Sequence, residues 1–279
     1  MVKIVADTTS SLPVEVAQSL GIPYLPQIIN FGDESYRDDS EIDSKTFLKK
    51  LMSSSVLPKT AAPPPALYEP IYRELSEAGH TIIVLAPSAK VSGTFRSAEV
   101  AAKDFPDADI RVVDTNIVAS GLGDIVLLAN QWANEGVDAD TIIQRVLDMS
   151  KRWKVYFVVD TLEYLRKGGR IGGAQALVGS LLQVKPILTW EGDQITSLES
   201  QRTQKRALAR LRELVYSQCP RNDNGHLSVM HGAAEEMAKE LSEEFCANLG
   251  MAHVGIYELP PAVLTHAGPG VLGVSFFTE

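Results

Sequence analysis

Hydroxyl-bearing residues gather where this sequence ends one strand-like run and opens the next helical one. Asp7-Thr8-Thr9-Ser10-Ser11 follow the run Lys3–Ala6. Ser88, Ser92, Gly93 and Thr94 follow Thr81–Leu85, and Asp114-Thr115-Asn116 follow Ile110–Val113. Each of these residue types is a favoured helix cap, so a single such turn needs no ligand to explain it. Open α/β sheets take their ligands beyond the carboxyl ends of the strands, and several such turns at one edge point to a small anion or a polar head group. Ser92-Gly93-Thr94 is the best formed of them. Its hydroxyl and backbone N–H groups would sit at the positive end of a helix, where a carboxylate or phosphate is favoured.

Two further segments place polar side chains among glycines. Arg170 lies within Lys167-Gly168-Gly169-Arg170-Ile171-Gly172-Gly173. Glycine lets a backbone come close to a ligand, and an arginine there can fork onto a carboxylate. An exposed arginine on a loop is the equally good alternative. His266 precedes Ala267-Gly268-Pro269-Gly270, and His231-Gly232 is a weaker candidate of the same kind. A histidine near neutrality can serve as a neutral or a charged donor, but an isolated one is more often a structural hydrogen-bond partner.

The usual catalytic signatures are missing. The sequence has no phosphate loop of the G-x-x-x-x-G-K-[ST] type, no H-E-x-x-H and no G-x-S-x-G. The glycines around Arg170 lack the G-x-G-x-x-G order of a dinucleotide site. Cys219 and Cys246 lack metal-ligand spacing. Strand-end aspartates can bind magnesium, so Asp7, Asp114 and Asp160 keep open a phosphotransferase acting on a small hydroxylated substrate.

Strands and helices must position these residues, and the pattern alternates between them. Ser10-Ser11-Leu12-Pro13 predicts a helix start, with Val16, Ala17 and Leu20 on its buried face and Gly21 as its stop. Pro23–Asn30 reads as an edge strand. Asp43-Ser44 opens a helix with Phe47, Leu48 and Leu51 buried. Ala61–Pro65 reads as a stiff extended crossing. Helices are predicted at roughly Ser92–Ala102 and Ile117–Glu135, a strand at Val155–Val159, and a hairpin about Glu191-Gly192-Asp193. Further helices are predicted at Gln204–Gln218 and Ala233–Leu249, with a last strand at Val271–Phe277. The expected fold class is α/β, two α/β domains with parallel or mixed sheets flanked by helices, over 1–155 and 156–279.

The chain has 279 residues, enough to bury a core without staples. Its 35 acidic and 26 basic residues leave a net charge of −9, which argues against nucleic acid as a partner. Two cysteines are too few for a disulfide framework, and the expected location is cytoplasmic. No apolar run approaches the ~18 residues of a membrane span, so no stable membrane insertion is expected.

In order along the chain stand VADTTSSLP, INFGDESYRDDSEI, Lys59-Thr60, SAKVSGTFRSA, VVDTNIVASGLG and DTLEYLRKGGRIGG. KPIL with Gly192, Gln201-Arg202-Thr203 and HAGPGVLGVSFF complete the series. With these pieces the sequence resembles the DegV family of bacterial fatty-acid-binding proteins.

The resemblance implies two α/β domains with a lipid tunnel between them. It implies a bound long-chain fatty acid such as palmitate, stearate or oleate, and no other cofactor and no metal. It further implies a non-catalytic carrier that presents the fatty-acid carboxylate to a separate ATP-dependent fatty acid kinase, which makes the acyl phosphate. By the same likeness Thr60 and Ser92, with Gly93 and Thr94 of the same turn, hold the carboxylate, and Arg170 and His266 lie near it. Arg202 matches a surface position linked to docking of the kinase. A monomer is expected. The family usually follows its threonine with Ser-Gln-Pro-Ser, whereas Thr60 is followed here by Ala61-Ala62-Pro63-Pro64, which removes two polar side chains beside the head group.

Overall fold

The short apolar runs become strands and the amphipathic stretches become helices, as a computed structural model describes for residues 1–178 and 184–279. The chain divides into two compact units. The first comprises Met1–Asp43 and Pro58–Lys151, and the second Ser44–Leu57 and Arg152–Glu279.

In chain order the first unit begins with β1 (Val2–Asp7), α1 (Val14–Ser19), β2 (Tyr24–Leu25), β3 (Ile28–Phe31) and β4 (Glu34–Arg37). The next element, α2 (Ser44–Ser53), belongs to the second unit. The first unit then resumes with β5 (Lys59–Ala61), α3 (Pro65–Glu77), β6 (Thr81–Ala86), α4 (Thr94–Ala102), β7 (Ile110–Asp114), α5 (Ser120–Asn134) and α6 (Ala139–Arg152). Strands β2-β1-β6-β7 form one sheet, parallel throughout. Such a sheet needs cover, and its strands accordingly read as continuous apolar runs. Tyr68 and Tyr72 of α3 and Ala98 and Ala101 of α4 are fully buried with Val84 of β6, and α5 packs along β1. A second, antiparallel sheet of order β4-β3-β5 pairs Ile29 with Thr60.

The second unit continues with β8 (Trp153–Val158), α7 (Glu163–Lys167), β9 (Lys185–Glu191), β10 (Gln194–Gln201), α8 (Gln204–Gln218), β11 (Ser228–His231), α9 (Glu235–Leu249), β12 (Gly255–Glu258), α10 (Pro261–Ala267) and β13 (Leu272–Phe277). Its sheet runs β10-β9-β8-β13-β11-β12, with β11 and β12 parallel and the other pairs antiparallel. All six residues of the interior strand β13 are buried. Leu211 and Val215 of α8 and Leu241 and Phe245 of α9 complete this core. The β9–β10 hairpin turns on Gly192 and Asp193, both at φ near +60°, the backbone a type I′ turn demands. α2 is held within this unit by Ser44, whose hydroxyl donates to the Leu259 carbonyl at 3.0 Å.

The α/β class expected from sequence is the class observed, and several elements depart from expectation. The helix after Leu12 starts at Val14 and has only six residues, so only Ala17 is buried while Val16 and Leu20 are 36% and 44% exposed. Ser10 and Ser11 do not cap it: Thr8–Ser10 form a 3-10 turn, and Ser10 Oγ donates to the Asp7 carbonyl at 2.9 Å. Ala61–Pro65 runs extended from the end of β5 through Pro64. Pro65 opens α3, because a proline at the first helical position loses no hydrogen bond. The antiparallel sheet β4-β3-β5 and the helices α6 and α10 had no counterpart in the expected pattern. Among the described residues no helix is long and apolar enough to cross a membrane.

Candidate functional site

In the first unit the strand-end turns do meet at one edge. Because β1, β6 and β7 are parallel neighbours, Asp7–Ser11, Ser88–Thr94 and Asp114–Asn116 all leave the carboxyl end of the sheet. The turns are also tied to each other. Ser88 Oγ donates to Asn116 Oδ1 at 3.1 Å, and Asp114 Oδ1 accepts from the backbone N–H groups of Ala89 and Asn116 at 3.2 and 3.0 Å.

Ser92-Gly93-Thr94 stands at the start of α4, with Gly93 as the residue before the helix. Ser92 Oγ lies 3.0 Å from Thr94 Oγ1 and accepts from the Thr94 backbone N–H at 3.2 Å. Thr94 is buried, Ser92 half-buried and Gly93 exposed. The end of β5 closes on this turn. A Cβ at Gly93 would lie 3.4 Å from that of Ala62, and Ser97 Oγ donates to the Pro63 carbonyl. The strand carrying half-buried Thr60 therefore ends against the turn carrying Ser92. Ala61 and Ala62 supply methyl groups there, and no side-chain donor.

Behind the turn lies a buried polar network. Gln27 Nε2 donates to Asp7 Oδ2 at 3.1 Å and to Thr94 Oγ1 at 2.9 Å. Asp7 Oδ1 accepts from the Thr9 backbone N–H at 2.7 Å and from the Thr9 hydroxyl. Asp38 Oδ1 accepts from the Gln27 backbone N–H and from Thr8 Oγ1, both at 2.7 Å. Burial pushes the Asp7 carboxyl up to about 6, against the pull of hydrogen bonds from Thr9, Thr94 and Gln27. Gln27 has no signal in the sequence because one amide after Pro26 carries no motif. Asp38 is hidden in the INFGDESYRDDSEI block, where five acidic residues look alike.

In the second unit, Arg170 and His266 are neighbours because three close approaches lay the HAGPG turn along residues 160–170. A Cβ at Gly168 would collide with the His266 imidazole, one at Gly268 with the Tyr164 ring, and one at Gly270 with the Asp160 carboxylate. Gly268 and Gly270 also have φ near +77°. His266 sits in the last turn of α10. Burial, with the Arg170 charge adding to it, brings its imidazole down to about 3, so it is neutral at physiological pH. Arg170 is half-buried and donates from Nη1 to the Gly168 carbonyl at 2.7 Å. His231 is fixed in β11, paired with Leu272 and Glu258.

Arg202 is exposed in the bend between β10 and α8. Lys205 and Arg206 beside it are exposed too, whereas Arg210 is paired with Glu199 and Glu213, and Arg212 with Glu244. Of the aspartates that kept a magnesium site open, Asp7 and Asp114 accept local N–H and O–H donors. Among the described residues no group of three or more His, Cys, Asp or Glu could hold a metal ion. An open depression of about 520 Å³ lies at the opposite, amino-terminal edge of the parallel sheet, near His80 and Asp109, and contains none of the residues singled out from sequence.

The whole chain, residues 1–279, matches the family model described as "Uncharacterised protein, DegV family". A DegV domain-containing protein of Streptomyces coelicolor is 37% identical over 275 residues, covering 98% of this chain and 97% of that protein. Among solved structures, a fatty-acid-binding DegV family protein from Thermus thermophilus aligns with TM-score 0.90 at 31% identity, covering 100% of this chain and 99% of that one. DegV of Bacillus subtilis, described as a fatty acid binding protein, aligns with TM-score 0.87 at 32% identity over 100% of this chain and 99% of that one. With its sequence motifs, its fold and its full length all matched, this chain belongs to the DegV family.

Proposed function

We propose that this chain binds a long-chain fatty acid, holds its carboxylate on the hydroxyl turn of the first unit, and presents it to a separate ATP-dependent kinase. The carrying observation is the Ser92-Gly93-Thr94 turn: O–H and N–H donors at the carboxyl edge of a parallel sheet, backed by buried Gln27 and closed on by the strand of Thr60. Relatives 31% and 32% identical over the whole chain are described as fatty-acid binding, which selects a lipid carboxylate from among possible anions. Arg170 and His266 enter the proposal from the family likeness alone, and so does Arg202 as a kinase contact.

The chemistry suits a carrier. At ~0.8 kcal/mol per buried methylene, a sixteen-carbon tail supplies ~10 kcal/mol before the entropy of association is charged against it. The head-group donors then chiefly orient the acid. A carboxylic acid is already ionised at neutral pH, as a glutamate side chain with pKa ~4.3 is, so the carrier needs no general base. Hydroxyl donors leave a carboxylate oxygen able to attack the γ-phosphorus of ATP. The new bond joins that oxygen to phosphorus, the bond to ADP breaks, and ADP leaves with the electron pair. ATP is brought by the kinase, which puts the working location in the cytoplasm.

Organic extraction of the purified chain followed by mass spectrometry tests the binding, and palmitate or oleate titration gives the affinity. A co-purifying fatty acid and acyl-phosphate formation only when kinase is added are the expected results. A lipid-free protein with no affinity for either acid, or ATP turnover by the isolated chain, overturns the reading.

A further inference from the structure

The buried network behind Ser92 has a direction, and the direction follows from counting hydrogens. An ionised carboxylate only accepts, so the Gln27 group facing Asp7 Oδ2 at 3.1 Å is its NH₂ and not its carbonyl. The same Nε2 stands 2.9 Å from Thr94 Oγ1 and donates its second hydrogen there. Thr94 Oγ1, having accepted from Gln27, has its own hydrogen to give, and Ser92 Oγ lies 3.0 Å away to accept it. Ser92 Oγ also accepts from the Thr94 backbone N–H at 3.2 Å. With two hydrogens received, both lone pairs of Ser92 are occupied, and only its O–H remains to give.

We infer that Asp7 and Gln27 are positioning residues: Asp7 accepts from the Gln27 amide and so fixes its NH₂ toward Thr94, Gln27 donates to Thr94 and Thr94 donates to Ser92, which makes Ser92 a donor-only contact and so selects ligands ending in an acceptor-only carboxylate over those ending in a hydroxyl. This rests on the carboxylate assignment proposed above and says how that site discriminates. Against a carboxylate, a donor-only Ser92 makes a charge-assisted hydrogen bond. Against a fatty alcohol it makes an ordinary one, and the alcohol's own O–H finds no lone pair on Ser92.

Burial supports the assignment. Asp7, Gln27 and Thr94 are 1%, 3% and 1% exposed, so water cannot substitute for a missing link. The Asp7 carboxyl at about 6 is ionised at neutral pH, the state the chain requires. Thr94 also helps to stabilise the Asp7 charge, which defines the competing arrangement. In it Thr94 would donate to Asp7 and Ser92 to Thr94, leaving Ser92 no hydrogen for a ligand.

The test is the ratio of affinities for palmitate and hexadecanol at pH 7.5, measured on the full chain. Wild type is expected to prefer the acid by about tenfold or more, as a charge-assisted contact predicts. Gln27→Met removes the amide at similar length, and the preference is expected to fall about fivefold while hexadecanol affinity stays within about twofold. Thr94→Val cuts the chain one link later with little change of volume and reads the same ratio should Gln27→Met not fold. Thr94→Ser, which keeps the hydroxyl, is expected to restore the wild-type preference. An unchanged ratio in folded Gln27→Met or Thr94→Val, with palmitate still bound, overturns the directed chain and leaves the carboxylate site standing. Wild type binding neither ligand overturns the carboxylate site itself.

Discussion

Gly168 lies so close to the imidazole of His266 that a methyl group on the glycine would overlap Nδ1. The glycine is at φ −77° and ψ −6°, a conformation open to any residue, so the constraint comes from the histidine and not from the backbone. Gly168→Ala is therefore expected to destabilise the protein by about 1–3 kcal/mol, the usual cost of overpacking. Thermal melts of Gly168→Ala, His266→Ala and the double variant check this. The double variant should lose less than the sum of the two singles, because the alanine then occupies space the imidazole has left.

Stability should respond to pH through two buried groups of opposite sign. His266 falls to about 3 in the folded chain from an ordinary 6.5, so its contribution is present above 6.5 and is lost as pH falls toward 3. Asp7 rises to about 6 from 3.8, so the folded chain holds that proton more tightly, and stability falls as pH rises from 4 to 6. Between pH 4 and 6 the two effects oppose each other. Without the histidine, in His266→Gln, stability should fall as pH rises across that window, and without the carboxyl, in Asp7→Asn, it should rise. Urea unfolding at pH 4.0, 5.0, 6.0 and 7.0 measures both slopes, each shift being worth a few kcal/mol at most.

Removing one head-group hydroxyl should weaken orientation more than attachment. Ser92→Ala or Thr60→Ala each deletes one hydrogen bond to a charged group, about 1.5–3 kcal/mol, against ~10 kcal/mol from the tail. Palmitate should still bind, about tenfold more weakly. Acyl-phosphate formation with saturating lipid and kinase should fall further, and the melting temperature should hardly move. Equal acyl-phosphate output from Ser92→Ala and wild type would count against the assignment.

Arg202 is exposed in a bend, beside exposed Lys205 and Arg206. Arg202→Ala is expected to leave palmitate affinity and the melting temperature unchanged and to raise the kinase concentration needed for half-maximal rate by about tenfold, as for a charged contact of ~1.4 kcal/mol. Titrating kinase against lipid-loaded variant measures this, and a matching loss of lipid affinity would refute a docking role.

The order of strands and helices was largely legible because it is written locally. Apolar runs such as TIIVL, the stripe Phe47, Leu48 and Leu51, and the Glu191-Gly192-Asp193 turn each carry their period or turn chemistry within a few residues. Elements lacking that local signature were missed. A row of prolines masks the start of α3, and the residues 261–267 of α10 are too few to show a helical period.

By itself the sequence determined the α/β class, the hydroxyl turns at the strand ends, and the glycines where chain segments must approach. Only the tertiary structure decided that residues 44–57 join the second unit, that Gly168 meets His266, and that Gln27 reaches both Asp7 and Thr94. These contacts join residues far apart in the chain, brought together by strand order and close packing. A lone amide or glycine carries no local pattern that names its partner, so its role becomes visible only when both sides of the contact are in place.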